Sequence, residues 1–260
     1  MKQEDEFYIC YQPGMPKNTK KTVARFVVLC GIFLGIGAFV FGFFQETAVN
    51  SNFDFGNPSQ VMGIYHESPY PMLQISLGEQ TFKNVVLLGF GKSGPNPYLK
   101  SLREEYGKLH GRKMRIEGQL IYYNGQTLLE IDDSQKIEIL EEGKAPLVQD
   151  ISTQVIEGEI VDSKCYFGVM KPGFGKIHRS CAALCIAGGV PPVLVSTDKN
   201  GHENYFLLTD LKGNALHKDI LPYIGQPVSI KGNHASLGGW NILRIQVAEI
   251  EKLDKPSSIY

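Results

Sequence analysis

Three cysteines and one histidine fall within twenty-one residues: Cys165, His178, Cys181 and Cys185. Thiolate sulfur and imidazole nitrogen are both metal donors. A Cys3His set suits zinc, and the same donors suit copper or an iron–sulfur cluster. The spacing, C-x12-H-x2-C-x3-C, matches no standard zinc finger. The same residues allow other chemistry. A disulfide could join Cys165 to Cys181 or Cys185 and leave one thiol over, or all three could be buried thiols. A Cys181–Cys185 bond is the poorest pairing, because side chains four apart on a helix lie alongside one another. Redox catalysis by Cys181 is a further reading, since Lys176, His178 and Arg179 lie beside it near an expected helix N-terminus. Against that reading, the chain has no CxxC and no thioredoxin-like βαβ pattern.

These groups need an element to bring them together. Ile177 to Ala187 has helix-forming composition, and Gly188-Gly189 with Pro191-Pro192 stops it. On that helix His178, Cys181 and Cys185 are i, i+3 and i+7, so they share a face. Cys165 stands at the end of the preceding strand, across a Gly/Pro loop. Asp162, three residues before it, reads as a strand-end turn residue, with a ligand or hydrogen-bond role as the alternative.

Val23 to Phe44 is apolar apart from Arg25. About 20 residues at ~1.5 Å each cross a hydrocarbon core, so this stretch reads as a transmembrane helix anchored in lipid over 23–44. A cleaved signal peptide fits less well, because the run is too long and no A-x-A site follows. Lys17, Lys20, Lys21 and Arg25 precede or open the span and Gln45-Glu46 follows it. The positive-inside rule therefore leaves residues 1–22 as a cytoplasmic tail. The expectation is a single-pass protein of a bacterial inner membrane with its C-terminal part in the periplasm. Of the five cysteines, only Cys165, Cys181 and Cys185 are then exported to a side where disulfides persist.

The exported part reads as mainly β. Gly111–Ile131 and Gly225–Ile245 align without a gap at an offset of 114, pairing Gly118 with Gly232, Gly125 with Gly239 and Leu129 with Leu243. Each window reads as a hairpin, turning at Asn124-Gly125 or Gly238-Gly239. Earlier segments correspond too: 61–70 with 156–165, and the strands Val85–Gly89 with Tyr205–Thr209. Helical or irregular stretches near Pro97–Tyr106 and Leu211–Leu221 precede the hairpins. Two tandem OB-like small barrels are expected, over 53–142 and 150–253, with a linker near Glu141–Gln149. The second alone carries a helical Cys/His insertion, 165–192, and the first reads as a scaffold.

Other features carry less. A net charge of −1 gives no reason to expect nucleic acid as a partner. Gly91-Lys92-Ser93 lacks the earlier glycine of a phosphate loop. His66, His110, His202, His217 and His234 are scattered and read as surface or turn residues. Trp240 and Tyr122-Tyr123 read as barrel residues or an interaction surface. Lys164, Lys171, Lys176 and Arg179 read as a solvated basic loop.

The pattern Gly158, Ile160, Asp162, Cys165, then Cys181, Cys185 and Gly188, then the strand Val193–Val195, resembles a group of functionally uncharacterised exported bacterial domains with an OB-like core. The resemblance covers the second barrel and reaches the first through the repeat. It implies a fold and a compartment but no activity. The resulting expectation is a membrane-anchored, metal-binding or redox-active accessory protein, attached to a membrane or periplasmic oxidoreductase complex and not itself clearly an enzyme. The alternative is an assembly subunit whose cysteines form a stabilising disulfide.

Overall fold

The computed structural model describes residues 15–44, 51–78, 81–142 and 149–254. Most of the expected tail, 1–14, and most of the linker, 143–148, lie outside the described residues. The chain divides into two compact units, 1–49 and 50–260. In the first, a helix α1 spans Lys17–Phe43. It is long and apolar enough to cross a membrane, and at 27 residues it extends for about 40 Å. It begins before Val23, so Lys17, Lys20 and Lys21 form its first turns.

The second unit contains two closed five-stranded barrels. The strands of the first are β1 (Ser51–Phe53), β2 (Ser59–His66), β3 (Met72–Ser76) and β4 (Phe82–Gly89), then helix α2 (Asn96–Tyr106), then β5 (Arg112–Tyr123), β6 (Gln126–Ile131) and β7 (Ile137–Glu142). Closure runs β2-β3-β4-β6-β5 and back to β2. All pairs are antiparallel except β4 with β6, and β1 and β7 add onto β5. The second barrel follows with β8 (Gln149–Asp162), helix α3 (Gly175–Ala187), β9 (Pro192–Thr197), β10 (Glu203–Asp210), β11 (Pro227–Leu237), β12 (Trp240–Ile245) and β13 (Glu251–Lys252). Its closure is β8-β9-β10-β12-β11 and back to β8, with β10 parallel to β12. Both expected hairpins form. Their turns take positive φ at Asn124 (45°), Gly125 (84°), Gly238 (51°) and Gly239 (86°), the conformation that tight two-residue hairpins require.

Strand periodicity divides the core into three clusters. Side chains alternate across a strand, so a strand with both faces covered buries every residue. In β4, Val85 and Leu87 fill the first barrel, while Val86 and Leu88 face outward. In β10, Phe206 and Leu208 fill the second barrel, while Tyr205 and Leu207 face outward. These outward residues meet in one shared cluster with Tyr70, Met72, Ile121 and Leu128 of the first barrel and Val193, Val195, Trp240 and Ile242 of the second. The barrels therefore pack wall against wall. The seam is also hydrogen-bonded: the Trp240 indole donates to the Asn84 carbonyl at 2.9 Å. The Tyr70 hydroxyl donates to the Leu208 carbonyl at 2.5 Å and accepts from the Leu216 N–H at 3.1 Å. Trp240 and Tyr123 are thus seam residues, and the first barrel is half of a joint structure rather than a detached scaffold.

Candidate metal centre

The second barrel's β8 ends at Asp162, and the chain then turns through a short π-helical segment, Cys165–Val169, closed by the Met170 N–H donating to the Cys165 carbonyl at 3.3 Å. This π-turn holds Cys165 beyond the strand end, where sequence periodicity had no means of placing it. Opposite it, α3 starts at Gly175, two residues earlier than composition indicated. The carboxylate of Glu159, buried on β8, accepts the Gly175 N–H at 2.5 Å and so caps the helix from a neighbouring strand. Beyond the helix end at Ala187, Gly189 takes φ 103° and the Val190 N–H returns to the Cys185 carbonyl at 3.0 Å. Because the helix begins at Gly175, Cys181 lies in its middle, and the N-terminal reason for an activated thiol weakens.

Among the described residues, the expected four fall into two overlapping groups that share Cys165, and His178 and Cys185 belong to different ones. Ligand atoms of Cys165, His178 and Cys181 all lie within 4.8 Å of one another. Cys165, Cys185 and a carboxylate oxygen of Asp162 form a second such group, so Cys165 belongs to both. The cysteines at 165, 181 and 185 are free thiols. Cys165, His178, Cys185 and Asp162 are buried, whereas Cys181 is half-buried. Ile177 and Leu184, one turn to either side of Cys181, are 83% and 58% exposed, so the cluster has one edge reachable from outside.

Asp162 is the residue that sequence reading underrated. It is fully buried and uses both oxygens: Oδ1 accepts the Cys165 N–H at 2.8 Å, and Oδ2 lies 2.9 Å from His178 Nε2. The thiols also act on one another. The adjacent Cys185 thiol, and then burial, push the Cys165 thiol up, while Cys165 draws Cys185 down. Lys92, on a loop of the first barrel, adds to the lowering of Cys185.

That loop is part of the wall of the centre. Gly188 packs so closely against the Lys92 carbonyl that a Cβ would collide with it, and the Gly94 N–H donates to the Gly188 carbonyl at 2.8 Å. The paired glycines therefore stop α3 and also let a second backbone approach it. Lys164 is not part of a solvated loop. Its ammonium is buried in an ion pair with Glu130 of β6 and donates to the Gly89 and Gly91 carbonyls at 2.9 and 2.8 Å. Lys171 is exposed, with its ammonium 4.7 Å from the Tyr123 ring centre. Lys176 is exposed and Arg179 is partly so. Among the remaining histidines, His202 is exposed, whereas His66 is buried, with its Nε2 atom lacking a hydrogen-bond partner.

The fold and the cluster define a two-barrel protein with an apolar N-terminal helix and a Cys/His group able to bind a metal ion. No protein-family model matches the chain, and no curated protein does so.

Proposed function

We propose that this chain is a membrane-anchored accessory protein whose second barrel holds a soft metal ion, zinc or copper, at Cys165, His178, Cys181 and Cys185. The observation that carries the reading is the convergence of thiols and imidazole from two separate elements, the π-turn and α3, around Cys165. Thiolate with imidazole favours such ions over hard ones. α1 supports the anchor, and the basic residues at its start support an N-terminus on the cytoplasmic side of a bacterial inner membrane. The shared strand order, with one parallel pair per barrel, supports the reading of both barrels as OB-like copies of a tandem repeat within the exported family described above. Attachment to an oxidoreductase complex in the periplasm is supported by the half-buried Cys181 with its exposed apolar neighbours Ile177 and Leu184, which offer a contact surface.

A second reading is favoured by one proximity: the Cys165 and Cys185 sulfurs lie within 4.8 Å of one another. This pair could close as a disulfide that staples the segment and leaves Cys181 free. One measurement separates the two. The full chain is purified in detergent without chelator, and bound metals and free thiols are counted on the same sample. The metal reading expects about one ion per chain, lost in Cys165→Ser because Cys165 belongs to both groups. A disulfide between residues 165 and 185 with no metal would overturn it.

A further inference from the structure

We propose that Asp162 is a positioning residue of the metal centre, acting through His178 by fixing its ring and leaving Nδ1 to bind the metal. This rests on the metal reading above. A strand-end aspartate that only closes its own turn needs one local hydrogen bond, and Oδ1 makes it with the Cys165 N–H. Oδ2 reaches across sixteen residues of sequence to His178 Nε2 at 2.9 Å, and both side chains are almost wholly buried. One carboxylate therefore ties together the two elements that carry the ligands, the π-turn through Cys165 and α3 through His178.

The charge arrangement points the same way. A buried carboxylate needs a compensating partner. The neighbouring Lys164 is turned away and committed to Glu130. The side chain facing Asp162 Oδ2 is the His178 imidazole, as a hydrogen-bond partner. An ionised carboxylate only accepts hydrogen bonds, so the ring nitrogen facing it carries the proton. Nε2 is then an N–H, and Nδ1 is the nitrogen left with a lone pair. A cation on Nδ1 polarises the ring and strengthens its bond to the carboxylate, the arrangement by which histidine ligands are oriented in metal sites. The rival role is direct ligation, because an Asp162 oxygen lies within 4.8 Å of the Cys165 and Cys185 sulfurs.

A thermodynamic cycle on the full chain in detergent distinguishes these roles, with zinc affinity measured by competition against a chromophoric chelator. Wild type, Asp162→Asn, His178→Ala and the double variant are compared. Action through His178 predicts a loss of about 10–100-fold in Asp162→Asn. It predicts no further loss when Asp162→Asn is added to His178→Ala. With cobalt(II) as probe, the thiolate-to-metal absorption of Asp162→Asn keeps the wild-type intensity. A second measurement needs no variant: in 15N-histidine-labelled wild type, zinc must shift His178 Nδ1 in the manner of a ligand, with Nε2 keeping its proton. Equal affinity in Asp162→Asn, a loss that adds fully to that of His178→Ala, or zinc on Nε2 overturns the proposal while leaving the centre standing. A wild-type chain that takes up neither zinc nor cobalt overturns the centre and the proposal together.

Discussion

Lys164→Met is expected to destabilise the chain by about 3–5 kcal/mol, the range for removing one partner of a buried ion pair. The side chains of Lys164 and Glu130 are 4% and 3% exposed, so the carboxylate left behind has little water to turn to. The Gly89 and Gly91 carbonyls lose their donor at the same time. Against a total stability of about 5–15 kcal/mol for a typical domain, the loss is large. The signature lies in the double variant Lys164→Met/Glu130→Leu. Replacing both charges by apolar groups removes the stranded carboxylate and should recover most of the loss. The chain's single tryptophan, Trp240, lies in the seam between the barrels, so its fluorescence in urea titrations of detergent-solubilised protein reads this interface. An unchanged urea midpoint in Lys164→Met would show that the pair contributes nothing. Lys164 also immediately precedes Cys165, so the same variant should loosen the proposed centre as well.

Acidification provides the second large effect. Burial, followed by the nearby charge of His110, lowers the His66 imidazole from 6.5 to about 4. The unfolded chain takes up this proton as pH falls through 6.5, while the folded chain resists until about 4. In that window the unfolded state binds more protons, so stability falls as pH falls. Above 6.5 the group has no effect. The full separation corresponds to about 3 kcal/mol, which partial solvent screening reduces to about 2 kcal/mol. The check compares urea midpoints at pH 7.5 and pH 4.5 for wild type and His66→Phe. Wild type should lose about 2 kcal/mol more than the variant between the two values. Parallel losses in both proteins would remove His66 as the cause.

Features with a local signature were legible in the sequence. Asn124-Gly125 and Gly238-Gly239 announce their hairpins because few other pairs take positive φ twice in succession. Helical spacing put His178, Cys181 and Cys185 on one face of α3. What escaped depends on partners distant in sequence. Asp162 and His178 meet because α3 packs against β8, and Lys164 and Glu130 because β8 and β6 end near the same place; neither pair leaves a periodic trace. The Glu159 cap escaped for the same reason, and the helix start was misplaced with it. One missed feature did leave a trace. Val85–Gly89 and Tyr205–Thr209 are uninterrupted apolar runs, whereas a strand with one wet face alternates. Those runs signalled a second covered face on each barrel, and hence the seam.

The seam has a consequence for how the chain is made. The N-terminal barrel is synthesised first, and its outward Met72, Val86, Leu88 and Leu128 have no cover until β9, β10 and β12 emerge more than sixty residues later. During that interval the first barrel carries an exposed apolar wall, the kind of surface that makes partly made proteins aggregate. The two barrels are therefore joined by a shared apolar seam as well as by the peptide chain, and separating them would expose that seam to water.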